Sequence, residues 1–194
     1  ATDPGLMDET RPPLPAEPWY VTPALARTLD ALARLAHTGA FIGVVKGPTG
    51  AGKSLLLERL GALLAGDEHL AVARLDTGIT PGLLGSLAGA FGLAIDGNPT
   101  QTRRALIRHL TELHGAGRCP VALIDDAQRL SSLDLSLLIR LGLSADKGKS
   151  GLLNVILAGT GELDQRIAAA GEDLSRQRVY VAALAPLTVD ESLD

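Results

Sequence analysis

Gly47-Pro48-Thr49-Gly50-Ala51-Gly52-Lys53-Ser54 is the stretch from which the rest of the sequence can be read. It matches G-x-x-x-x-G-K-[ST] at each fixed position. Glycines at these places let the backbone curl until successive N–H groups converge on one point, and the N-terminus of a following helix adds a favourable dipole for an anion there. The lysine reaches the outer phosphates of a nucleotide, and the hydroxyl of Ser54 is placed to ligate Mg²⁺, a cation that takes few protein ligands and keeps several waters. Immediately before the loop, Phe41 to Val45 is a short apolar run with β-branched residues, and immediately after it Ser54 to Leu64 has helical character. Strand, glycine loop and helix in that order are the context the pattern requires. The nucleotide cradle is therefore assigned to Gly47, Pro48, Thr49, Gly50, Ala51, Gly52, Lys53, Ser54 and Leu55.

Working outward, four further apolar runs read as strands: Leu70 to Leu75, Val121 to Ile124, Leu153 to Leu157 and Val179 to Ala183. Helical segments are expected at Pro81 to Phe91, Thr100 to His114, Ser132 to Leu143 and Gly161 to Ala170. Upstream of the loop, Thr22 offers an N-cap and Pro23 suits the first helical position; Leu25, Leu29, Leu32 and Leu35 then recur at helical spacing until Gly39. Continuous apolar strands alternating with helices predict an α/β domain, a parallel sheet covered on both faces. Residues 1–18 hold five prolines among polar residues and read as an extended tail, which leaves 19–185 as one phosphate-loop core.

Val121-Ala122-Leu123-Ile124-Asp125-Asp126 is an apolar strand ending in two acids. A strand delivers a carboxylate to the metal beside a phosphate loop in this way, so Asp125 is the candidate Mg²⁺ ligand through water. Asp126 points elsewhere and is the candidate for orienting or deprotonating an attacking water. The bland alternative is a helix cap with favourable first-turn charge. No N-K-x-D guanine reader is present, and no Arg-rich lid of a small kinase can be assigned, which favours ATP as the nucleotide.

Composition narrows the classes. Hydrophobic residues make up 46% of the 194 and charged residues 21%, ordinary for a soluble globular chain. Aromatics are 3%, so the core is aliphatic and a base-stacking platform for single strands has little material. A net charge of −4 sets the overall field against phosphate, so DNA is not favoured as a partner. Arg103, Arg104 and Arg108 share a helix and read first as a solvated face. Cys119 is the only cysteine, and no signal peptide or run of eighteen apolar residues is found, so a cytoplasmic location is expected; attachment at the cytoplasmic face of the inner membrane would need segments outside this sequence. His109, His114 and Cys119 match no zinc spacing and are expected to be structural.

These residues resemble the AAA-type ATPases of the secretion-pathway protein A (ExeA-like) group, relatives of the TniB and TnsC transposition ATPases. The likeness rests on the phosphate loop and on Leu123 to Leu130, which contains Asp125-Asp126-Ala127-Gln128-Arg129. It rests also on Leu153 to Leu163, and on Arg176-Gln177-Arg178-Val179 before Leu184-Ala185-Pro186-Leu187-Thr188. The resemblance implies a five-stranded P-loop NTPase sheet in which a further strand lies between the acid-bearing strand and the phosphate-loop strand and ends in a polar sensor, here Thr160. It also implies homo-oligomers with ATP at subunit interfaces and an arginine finger, Arg176 or Arg178, reaching a neighbour's γ-phosphate. The family usually has Glu where this chain has Asp126, one methylene shorter, so slow hydrolysis is an open outcome. A helical lid follows in the family, and residues 186–194 read as its truncated beginning. Three functions stay open at this level: an oligomeric ATPase that remodels or assembles a protein complex, in secretion or at the cell envelope; a transposition-type regulator that binds DNA when ATP is bound; and a slow nucleotide switch.

Overall fold

In the computed structural model the described residues are 22–39, 41–76, 82–94, 97–143, 151–170 and 179–185. Arg176, Arg178, the expected tail and the expected start of a lid lie outside them.

Helix α1 (Pro23–Leu35) starts where Thr22 accepts a hydrogen bond from the Leu25 N–H at 3.2 Å, with proline at the first helical position. Strand β1 (Ile42–Lys46) leads into the glycine loop and helix α2 (Lys53–Ala65). Strand β2 (Leu70–Asp76) follows, then helices α3 (Leu83–Ala90) and α4 (Pro99–Gly115). The amide oxygen of Asn98 caps α4, accepting from Thr100 and Gln101. Strand β3 (Cys119–Asp125) ends at the acid pair; a single 3₁₀ turn, Ala127–Arg129, links it to helix α5 (Ser132–Gly142), which Ser131 caps by accepting from the Asp134 N–H. Strand β4 (Asn154–Gly159), helix α6 (Glu162–Ala169) and strand β5 (Val179–Ala183) are the last elements among the described residues.

The five strands form one sheet in the order β2-β3-β4-β1-β5, every pairing parallel. β4 thus lies between the acid strand β3 and the loop strand β1, the order implied by the family resemblance. Parallel strands buried on both faces show no polar alternation, and here neighbouring residues divide between two cores. Val45, Leu123 and Ile156 face α1 and α2, where they meet Leu32, Leu56, Leu57 and Leu60. Val44, Ile124 and Leu157 face the other way, toward Leu87, Leu106, Leu110, Leu135 and Leu163. The result is a three-layer sandwich whose aliphatic core holds all five strands in one register.

Candidate functional site at the carboxyl edge of the sheet

Every strand of a parallel sheet points its carboxyl end to the same edge, and there the loop, the acids and Thr160 gather. The register makes this concrete: Val44 of β1, Leu157 of β4 and Ile124 of β3 stand level, so Asp125 is one step beyond. Adjacent strands are about 4.8 Å apart, which sets the acid end of β3 roughly 10 Å across the sheet from the end of β1.

The loop is shaped for close approach to its own backbone. Gly50 and Gly52 have φ of 84° and 80°, in the left-handed region, and the space above a Cβ at Gly50 is open. Gly47 is restricted for another reason: a Cβ there would lie 2.8 Å from the Leu184 carbonyl oxygen, at the exit of β5. Its N–H donates to the Gly159 carbonyl at 3.2 Å, tying the first loop residue to the end of β4. Pro48 and Thr49 are exposed, Ala51 is buried, and the Ala51 N–H closes a turn onto the Pro48 carbonyl. Ser54 is exposed and Leu55 half-buried in the first turn of α2.

Lys53 is 7% exposed, and its Nζ donates to the carbonyls of Gly47 at 2.9 Å and Pro48 at 2.7 Å. Among the described residues this ammonium has no carboxylate partner. A buried cation held only by neutral carbonyls, within a loop at a helix N-terminus, suits an anionic ligand.

Asp125 is the last residue of β3, level with Asp76 of β2, and its Oδ1 accepts the Asp126 N–H at 2.9 Å. Asp126 leaves the ladder with φ 48° and ψ 37°, the one described non-glycine residue at positive φ. Aspartate and asparagine are the side chains that tolerate this conformation best. Its Oδ1 accepts from Gln128 Nε2 at 3.1 Å, and its Oδ2 lies 3.8 Å from Arg129 Nη1. Thr160 follows β4 half-buried, and its N–H donates to Gln128 Oε1 at 3.2 Å. The two acids therefore make different contacts, Asp125 with the Asp126 N–H and Asp126 with Gln128 and Arg129 across a left-handed backbone turn.

Gln128 was singled out by the family resemblance alone, and Gly159 not at all. Both matter to the geometry: a Cβ at Gly159 would sit 2.7 Å from Gln128 Oε1. No local pattern signals this, because the contact joins residues 31 positions apart. His114 has a structural partner, its Nε2 meeting the Leu152 carbonyl at 3.0 Å, and the His109 ring lies 6.3 Å from that of Phe91. Among the described residues no three His, Cys, Asp or Glu converge on a metal position. No helix among them is long and apolar enough to cross a membrane. A cavity of about 440 Å³ lined by Leu35, Thr38, Phe41, Val179 and Tyr180 opens at the amino ends of β1 and β5, the edge away from the loop.

Among solved structures, the chain is similar to Cdc6p from Pyrobaculum aerophilum, with a TM-score of 0.66 at 22% identity over 90% of this chain and 49% of that one. It is similar also to the ADP form of the Aeropyrum pernix ORC2 protein, with a TM-score of 0.63 at 18% identity over 95% and 52%. A third likeness is to Drosophila ORC bound to DNA, with a TM-score of 0.64 at 15% identity over 89% and 45%. The chain spans about half the length of these structures, and at such identities the likeness is one of fold. A search of curated proteins gives no match. The AAA domain family matches residues 36–167, from the end of α1 through α6, and so takes in the glycine loop, the acid pair and Thr160. On that match, and on a parallel sheet with the β2-β3-β4-β1-β5 order, the chain belongs to the AAA domain family of P-loop ATPases.

Proposed function

We propose that this domain binds Mg-ATP at the carboxyl edge of its sheet and hydrolyses it. One observation carries the reading: the buried Lys53 ammonium, without a carboxylate partner among the described residues, inside a glycine loop at the head of α2. In this reading the loop N–H groups and Lys53 would hold the β- and γ-phosphates, and the Ser54 hydroxyl and Asp125 would hold the cation. A Mg²⁺ held there would neutralise charge that develops during transfer. Asp126 orients the attacking water, Thr160 contacts it or the γ-phosphate, and Arg176 or Arg178 acts as the finger of a neighbouring subunit. The core is taken as 19–185, with 1–18 as tail and 186–194 as the start of a lid.

The group to which we assign the chain is the ExeA-like and TniB-TnsC one, on the motifs quoted above. The work driven by turnover is assembly or remodelling of a protein complex by a homo-oligomer, in secretion or at the cell envelope. A second reading, an ATP-dependent DNA-binding regulator, gains support from the fold likeness to Drosophila ORC, which was solved bound to DNA; the net charge of −4 weighs against it. Asp126 in place of Glu supports slow turnover in either case.

The test is Mg-ATP binding and steady-state hydrolysis across protein concentration, beside Asp126→Ala and Asp126→Glu, with duplex DNA present and absent. Turnover per subunit that rises with concentration and disappears in Asp126→Ala supports an oligomeric ATPase. Binding without turnover in the unaltered chain, with turnover appearing in Asp126→Glu, supports the switch. Absence of nucleotide binding removes the whole reading.

A further inference from the structure

We infer that Gln128 is a positioning residue of this site: its amide ties the Asp126 carboxylate to the end of β4, and through Gly159 to the first residue of the phosphate loop. The inference rests on the ATPase reading and goes beyond it by assigning what holds the acid in place.

The side chain is used at both ends. Nε2 donates to Asp126 Oδ1 at 3.1 Å and Oε1 accepts the Thr160 N–H at 3.2 Å. The orientation of the amide is forced by its partners, because a backbone N–H can only donate and an ionised carboxylate can only accept. A flipped amide would set two donors against each other at one end and two acceptors at the other.

Three further features fit this arrangement. Asp126 sits at φ 48°, which swings its carboxylate out of the line of β3 toward the 3₁₀ turn that carries Gln128. Residue 159 is glycine, and any Cβ there would stand 2.7 Å from Gln128 Oε1; the bare backbone lets the amide reach across the end of the strand. Finally, the Gly159 carbonyl accepts the Gly47 N–H at 3.2 Å. A continuous chain of polar contacts therefore runs Asp126, Gln128, then the Gly159–Thr160 backbone, then Gly47, and so joins the ends of β3, β4 and β1. Displacing the loop when nucleotide enters would be felt at the acid that orients the water. From the other side α6 braces the turn, with Arg166 Nη1 donating to the Leu130 carbonyl at 3.4 Å.

A residue acting through Asp126 should change the chemical step and leave binding alone. Gln128→Ala is expected to lower kcat at least about tenfold, a part of the contribution of a positioned acid or base, with the Kd for Mg-ATP held within about twofold. Gln128→Glu keeps an oxygen to accept from Thr160 but faces Asp126 with a second anion, so its kcat should fall as far as that of Gln128→Ala. Gly159→Ala should lower kcat by expelling the amide, and the double variant Gly159→Ala/Gln128→Ala should be no worse than the poorer single, because both changes break one link. All are measured on the full 194-residue chain beside urea unfolding, so that a folding defect is seen as such. A kcat unchanged in Gln128→Ala, turnover retained in Gln128→Glu, or losses that multiply in the double variant would each overturn the inference while leaving the ATPase reading intact. Lack of turnover in the unaltered chain removes that reading first, and this one with it.

Discussion

Replacing Lys53 by Met should separate nucleotide affinity from fold stability, because the same buried ammonium contributes to the two with opposite balance. A phosphate oxygen seated in the loop would come within about 4 Å of Nζ, and at an effective dielectric constant of about 20 the attraction is on the order of 4 kcal/mol. Some of that is offset when the bonds to the Gly47 and Pro48 carbonyls, now 2.9 and 2.7 Å long, loosen to let the ammonium turn outward. A net hydrogen-bond cost of about 1 kcal/mol leaves roughly 3 kcal/mol, or a Kd about 100-fold weaker without the charge. Folding weighs the same group differently. Lys53 is 7% exposed, and keeping a charge there costs several kcal/mol of hydration that Met does not lose. The two hydrogen bonds that Met loses, each from a charged donor and worth about 1.5–3 kcal/mol, offset that gain, and the carbonyls left behind are on an exposed and a half-buried residue, where water can replace the donor. Stability of Lys53→Met should stay within about 1 kcal/mol of the unaltered chain. Titration with a fluorescent ATP analogue at fixed Mg²⁺ reads the first quantity and urea unfolding the second. An affinity within about threefold of the original would refute the phosphate cradle, since that is less than 1 kcal/mol of interaction. Loss of binding together with a loss of stability above about 2 kcal/mol would show instead that Lys53 is a structural residue.

Asn154 is 2% exposed and satisfied at both ends, accepting from the Phe41 N–H at 3.2 Å and donating to the Ala36 carbonyl at 3.0 Å. Asn154→Ala should cost about 3 kcal/mol in urea unfolding, leave ATP affinity unchanged at the far edge of the sheet, and contradict this account if the loss is under about 1 kcal/mol. Gly47→Ala drives a methyl against the Leu184 carbonyl, a backbone atom that cannot swing aside; about 1–3 kcal/mol of stability should be lost along with nucleotide affinity, and a normal Tm would count against the observed junction. For the proposed finger, Lys53→Met mixed with Arg176→Ala, or with Arg178→Ala, should recover turnover that each lacks alone, since removing a finger costs about 10³-fold or more; no recovery from either mixture would exclude action between subunits. Arg129→Ala removes only an exposed ion pair and should leave kcat within about threefold of the original, in contrast to Gln128→Ala; a drop as large as that of Gln128→Ala would count against Gln128 as the residue that holds the acid.

The five strands could be read because each is a short, largely apolar run, but three of the five readings stop at the last apolar residue and that of β4 one residue before it. The ladder goes further: β1 runs to Lys46, β2 to Asp76, β3 to Asp125 and β4 to Gly159. Hydrophobicity marks where a strand is buried between helices, whereas hydrogen bonding continues to the polar or glycine residue at the rim, where the site lies. A helix start was legible where Thr22 and Pro23 spell it, and less so for α4, read from Thr100 but starting at Pro99 under the Asn98 cap, and for α3, whose start at Leu83 follows a glycine without a side-chain cap. The order of strands is a matter of crossovers, on which hydropathy is silent; it came from the family resemblance. The left-handed turn at Asp126 and the bridge through Gln128 depend on the register of β3 against β4, a relation between distant segments that no window of sequence contains.

Asp126 presents two oxygens, and the structure treats them unequally. Oδ1 is held by Gln128 at 3.1 Å, through a side chain whose other end is anchored on the Thr160 backbone. Oδ2 lies 3.8 Å from a guanidinium that is itself 62% exposed, the kind of surface ion pair that is worth about 0–1 kcal/mol and is screened by salt. Oδ1 is then anchored by Gln128, and the Arg129 pair at Oδ2 adds little to holding the acid. Shortening Glu to Asp at this position limits how far a carboxylate can reach from the backbone; the positive φ and the Gln128 amide together determine where the shorter one reaches. For this reason Asp126→Glu changes two things at once: it lengthens the reach of the carboxylate and alters the contact with Gln128 Nε2 that holds Asp126 at 3.1 Å.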